Sequence, residues 1–148
     1  MTPFRRKALI PVILLLAMLS ACSTDDTYLP ALLADPMAEY EAEGIEFIDR
    51  STQGYVASDV LGNKVPANVR TRYRLLDQSA TDDALVEATA EAETHGWEMR
   101  QGTGPTSRVG SKDLGVGEAE LIMAIVPSDP EDPDGSPELL LVSLGISP

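Results

Sequence analysis

Cysteine and histidine each occur once in the 148 residues, as Cys22 and His95. One cysteine rules out an internal disulfide, so the fold must stand on its core alone. One histidine leaves only carboxylates to complete a zinc site, and none is read here. Positive charge is scarce as well: 11 Lys and Arg stand against 24 Asp and Glu. A body so acidic is repelled by nucleic acid and by anionic headgroups, which argues against both as direct partners. Aromatics are 5 % of the chain, and Tyr73 and Trp97 read as core or rim residues rather than ligand platforms. The apolar run Ala8–Ala21 has 14 residues. As a helix it rises roughly 21 Å, short of the roughly 30 Å hydrocarbon core of a bilayer. No repeat recurs at a 20–50-residue period.

What is present at the amino terminus has a definite order. Arg5, Arg6 and Lys7 precede the uncharged run, Pro11 interrupts it, and Leu19-Ser20-Ala21-Cys22 closes it. The positive flank and short apolar core have the pattern of a signal peptide. The closing tetrapeptide resembles the lipobox of bacterial lipoproteins. That resemblance covers residues 1–22 and implies that a diacylglyceryl group alkylates the Cys22 thiol. It also implies cleavage just before Cys22. Each buried CH₂ of such an anchor contributes about 0.8 kcal/mol, and two chains hold where one is marginal. Residues 1–21 are therefore expected to be a lipoprotein signal peptide, and the mature protein to sit on the extracytoplasmic face of a cell membrane, acylated (palmitate or a similar chain) at Cys22.

The mature part has 127 residues, eight of them basic and 24 acidic, a balance of −16. Membrane affinity then comes from the lipid and not from a basic patch. Residues 22–43 are expected to be the lipidated N-terminus and a tether. A short helix within it would have Asp35 as N-cap, Pro36 as its first residue and Gly44 as its stop. Fully extended, such a tether reaches on the order of 60 Å.

Residues 44–148 are expected to form one domain. Ile45–Asp49 reads as a short strand. Residues 50–67 are rich in turn formers, and Tyr55 and Val56 are expected to pair briefly with a neighbour. In residues 69–76 Val69, Thr71, Tyr73 and Leu75 alternate with Arg70, Arg72 and Arg74, a period of two that marks a strand with one buried face. A helix follows, with Ser79 or Thr81 as cap and Asp82 and Asp83 in its first turn. Leu85, Ala88, Thr89 and Ala92 share one of its faces, and Gly96 ends it. Residues 97–100 read as a strand, 102–116 as a glycine-rich connector, and 117–126 and 138–146 as a hairpin around the turn SDPEDPDGSP. The order β-β-α-β-β-β predicts an α+β two-layer sandwich, a mostly antiparallel sheet of about five strands under one covering helix. The stretch Asp35-Pro-Met-Ala38, the strand after it, the Ala-rich helix and Gly96-Trp97 are similar to small exported actinobacterial lipoproteins. That likeness implies no catalytic residues.

Four groups of residues are candidates for chemistry. Arg70, Arg72 and Arg74 recur at roughly 6.8 Å along one strand face and form a candidate ligand- or anion-binding row. Cross-strand pairing with Glu98, Glu118 and Glu120 is the plainer expectation. The loop at 102–116 misses a phosphate-binding pattern by one residue and by the order Ser111-Lys112. Asp132-Pro-Asp134-Gly135 echoes part of a calcium loop, but Leu141 stands where a bidentate Glu is needed. His95 has no nucleophile elbow to serve. The expectation is a non-enzymatic envelope module without cofactor or metal, bound to the membrane through covalent lipid, with an envelope protein as partner. The alternative is a small-ligand or anion binder using the arginine face.

Overall fold

The computed structural model describes residues 26–57, 62–77, 81–129, 131 and 137–146. Six antiparallel strands make one open sheet: β1 (Ile45–Gln53), β2 (Ala67–Leu75), β3 (Glu98–Gln101), β4 (Ser107–Asp113), β5 (Glu118–Val126) and β6 (Leu139–Ile146). Their spatial order is β1-β2-β6-β5-β4-β3. Two helices, α1 (Tyr28–Ala34) and α2 (Thr81–Thr94), and a 3-10 turn at Pro36–Glu39 complete the described elements. The class is α+β, with one strand and one helix more than the sequence pattern predicts.

Alternation along the strands decides which face is covered. In β2, Ala67, Val69, Thr71, Tyr73 and Leu75 are buried while the three arginines are exposed. In β5 and β6 the inward residues are Ala119, Leu121, Met123 and Ile125, then Leu140, Val142, Leu144 and Ile146. α2 lays Leu85, Ala88 and Ala92 on this side. The small alanines let it approach the sheet closely. It ends in a Schellman arrangement: the Gly96 amide donates to the Glu93 carbonyl and the Trp97 amide to the Ala92 carbonyl, both at 3.0 Å. Gly96 has φ +84°, a conformation that costs a side chain about 1 kcal/mol or more.

Two expectations are corrected. Residues 26–43 belong to the folded body. Leu32, Met37 and Ala38 are fully buried in the same core as the sheet. α1 starts where the Asp26 carboxylate accepts from the amides of Tyr28 (3.0 Å) and Leu29 (3.3 Å). Asp35 does cap the next turn, accepting from the Met37 amide at 3.0 Å, but that turn is 3-10 and packs on β2 and β6 instead of dangling. The predicted connector at 102–116 also contains a seven-residue strand, β4, paired on both sides. Its Gly110 hid it from the sequence pattern. A side chain there would have to displace the Met99 thioether, beside the Trp97 ring. Tyr55 and Val56 behave as expected only in part: Val56 forms a single bridge with Val65.

Candidate functional site

The helices and the 3-10 turn lie on one face of the sheet; among the described residues nothing lies on the other. Directly paired residues of antiparallel strands point to the same side, so the register defines that open face row by row. One row runs Arg74, Leu139, Val126; the next Arg72, Leu141, Ala124; the next Arg70, Ser143, Ile122, Val109, Arg100. The last holds Asn68, Gly145, Glu120, Ser111 and Glu98. Leu139, Leu141, Ile122, Ala124 and Val126 thus form an apolar strip down the middle. Arginines flank it on β2, and Glu118 and Glu120 close its far end on β5. Ile122 and Val126 remain 39 % and 42 % exposed. A groove of about 570 Å³ opens beside the strip between Ile48, Arg72, Arg74, Val126 and Leu139.

The arginine row is real as a row, but its members differ. Arg72 forms a two-pronged pair with Asp49, one prong at 2.8 Å from Nε to Oδ1. The hydrogen bond from Arg72 and its charge hold the Asp49 carboxyl below the usual carboxylate range, and Asp49 in turn raises Arg72. Arg74 reaches Glu46 at 3.4 Å. Arg70 makes no side-chain bond among the described residues and is exposed. The carboxylates that pair are on β1, because β1 is the strand beside β2. Glu118 and Glu120 sit two strands away, about 10 Å, with apolar β6 positions between. Two of the three guanidinium forks are therefore filled; Arg72 and Arg74 line the groove and Arg70 does not.

The other sequence candidates separate in space. His95 Nε2 lies 2.9 Å from Glu91 Oε1, one turn back on α2. Asp132 and Asp134 lie outside the described residues, as does Cys22. Among the described residues no group of three or more His, Cys, Asp or Glu is placed to hold a metal ion. No described helix is long and apolar enough to cross a membrane.

The sequence reading missed a buried polar knot. Asp35, 5 % exposed, accepts from Trp97 Nε1 at 3.2 Å, from Lys112 Nζ at 2.7 Å and from the Met37 amide. Lys112 also lies 5.7 Å from the Trp97 ring centre. These partners are 62 and 77 residues from Asp35, so no local pattern announces them. The knot ties the N-terminal segment to β3 and β4 and is structural.

The chain matches no family model, no curated protein and no solved structure. Its functional reading rests on its own residues.

Proposed function

We propose that the protein is a lipid-anchored, extracytoplasmic binding module that uses the open sheet face to dock a protein of the cell envelope. The observation that carries this is the apolar strip bounded by charge on the uncovered face. The sheet is about 24 Å wide across six strands and about 27 Å long. Its area of about 650 Å² approaches the roughly 800 Å² that each partner contributes to a standard protein interface. The strip is broad, which suits a macromolecule, and the two arginines in the groove beside it are already paired with Asp49 and Glu46. The partner that fits presents an apolar patch and a carboxylate to meet Arg70, which has no side-chain partner among the described residues.

The anchor reading rests on Arg5-Arg6-Lys7, the run Ala8–Ala21 and Leu19-Ser20-Ala21-Cys22. Asp26 already belongs to the folded body, four residues after Cys22. Four residues span at most roughly 14 Å, so a lipid on Cys22 holds the body directly at the bilayer surface.

Two measurements test the two halves. Cys22→Ser is expected to abolish incorporation of labelled palmitate and to release the protein from the membrane fraction. Equal retention of both forms without label in either refutes the anchor. A photo-crosslinker at Ser143 of the full-length protein in cells is expected to capture one dominant protein. Ile122→Glu is expected to remove that product while leaving the fold intact, since Ile122 is exposed. Capture that persists in Ile122→Glu places the partner elsewhere.

A further inference from the structure

The open face itself carries what its partner must present: an apolar strip and an unpaired carboxylate. Arg70 and Glu120 are both exposed on it, and neither has a side-chain partner among the described residues. They lie two strands apart, on β2 and β5, and one row apart along the strands. Their backbones are therefore about 10 Å apart across the strands and about 7 Å apart along them. Between them on β6 stand Ser143 and Gly145, both small. Ile122, 39 % exposed, follows Glu120 on the same face of β5.

A second copy supplies both missing partners at once. A two-fold axis lying flat over the sheet, bisecting the line from Arg70 to Glu120, sets Arg70 of each copy over Glu120 of the other. From the spacings above, that axis runs about 35° off the strands, so the two sheets cross at about 70°, near the orthogonal class of sheet packing. It passes between Ser143 and Gly145 and then beside Ile122. Small residues thus meet near the centre, and the apolar strip covers its own copy. The same operation lays Leu141 over Val109. Two faces of about 650 Å² each bury about 1,300 Å² in all, inside the range of standard stable interfaces.

Charge permits the meeting. The strands give this face four arginines, Arg70, Arg72, Arg74 and Arg100, against six carboxylates. The mature chain as a whole has eight cations against 24 acids. The face holds half of the cations and a quarter of the acids, so two copies repel least here. The anchors suit the same symmetry. The corner where Asp26 meets Tyr55 lies at the Gln53 end of the sheet, and an axis standing upright on the membrane brings both corners to one bilayer. The helix side, with a cleft of about 600 Å³ lined by Phe47, Arg50 and Tyr73 among others, stays accessible in the pair. We infer that two copies of this chain pair open face to open face through Arg70 and Glu120, an inference that rests on the docking role of that face and names its partner.

The test places two differently tagged copies of the full-length protein in one cell, each with a photo-crosslinker at Ser143. Wild-type copies are expected to give a product that carries both tags. Arg70→Glu in both copies replaces two attractions by two repulsions and is expected to lower that product about tenfold. Glu120→Arg in both should do the same. An Arg70→Glu copy beside a Glu120→Arg copy is expected to restore it, because each altered face then meets its opposite. Both residues are exposed, so each purified variant should keep the wild-type thermal midpoint. Capture of a different protein without any two-tag product overturns self-pairing and leaves the docking role of the face standing. No product of either kind overturns both. A two-tag product that ignores the charge reversals, or that the mixed pair fails to restore, overturns the pairing through Arg70 and Glu120.

Discussion

Three donors converge on the Asp35 carboxylate from the 3-10 turn, from Trp97 just before β3, and from β4. Removing it leaves Lys112 and the Trp97 N–H without their partner in a mostly dry site. Asp35→Ala is therefore expected to cost about 3 kcal/mol, read from urea unfolding. Asp35→Asn keeps an acceptor and should cost less. Tyr40 offers a second test at this scale. Burial, then the charges of Glu87 and Glu91, push its phenol up to about 12. The folded value lies above the ordinary tyrosine value of about 10, so the contribution is complete below that pH. It is lost as pH rises from about 10 towards 12, in total about 2 to 3 kcal/mol. Stability measured across that window should fall in the wild type, and Tyr40→Phe should lack this component of the fall. The Asp49–Arg72 pair has the opposite sign. Its contribution is present above the ordinary carboxylate value and fades only as pH drops through the lowered one; both partners are solvent-exposed, so the effect is small.

At the scale of elements, the N-terminal segment and β4 are decisive. Leu32, Met37 and Ala38 cover the inner face of β2 and β6. A chain beginning at Gly44 would expose that surface to water. It is expected to lose cooperative unfolding in calorimetry, whereas one beginning at Ser23 should keep it. Gly110 makes the matching case for β4. The Gly110→Val side chain would enter the space of Met99 and Trp97, an overpacking expected to cost about 1–3 kcal/mol in urea unfolding. Both elements escaped the sequence pattern for physical reasons. α1 is only seven residues long, too short to show a helical period, and its apolar residues gain meaning only against a sheet that follows it. β4 carries Ser, Arg, Gly and Lys where a strand pattern expects branched or aromatic residues.

Considered whole, the molecule is an acidic body with a sheet face that no described element covers, a side cleft and a short lead to the proposed anchor. The corner that carries this lead is where Asp26 accepts from the Tyr55 amide at 2.8 Å and Tyr28 packs edge-on against Tyr55. With Cys22 acylated in vesicles, spin-labelled headgroups should broaden the amide of Tyr55. They should spare Leu76, at the other end of β2, about 27 Å along the strand direction. Equal broadening at both ends would mean the body is not held by that corner.

The amino-acid pattern alone determined the alternating faces of β2, the pairing of β5 and β6 as a hairpin, the helix at Thr81–Thr94 with its glycine stop, and the arginine row. These follow from local periodicity and backbone preference, which act between near neighbours in the chain. Only tertiary structure decided that β6 lies between β2 and β5, and hence that Arg72 and Arg74 meet Asp49 and Glu46 while Glu118 and Glu120 stay two strands off. The same holds for the Asp35 knot and the cleft that Tyr73 and Arg50 line. Strand order and long-range contact are settled by the joint burial of surfaces far apart in sequence, and no single segment contains that information.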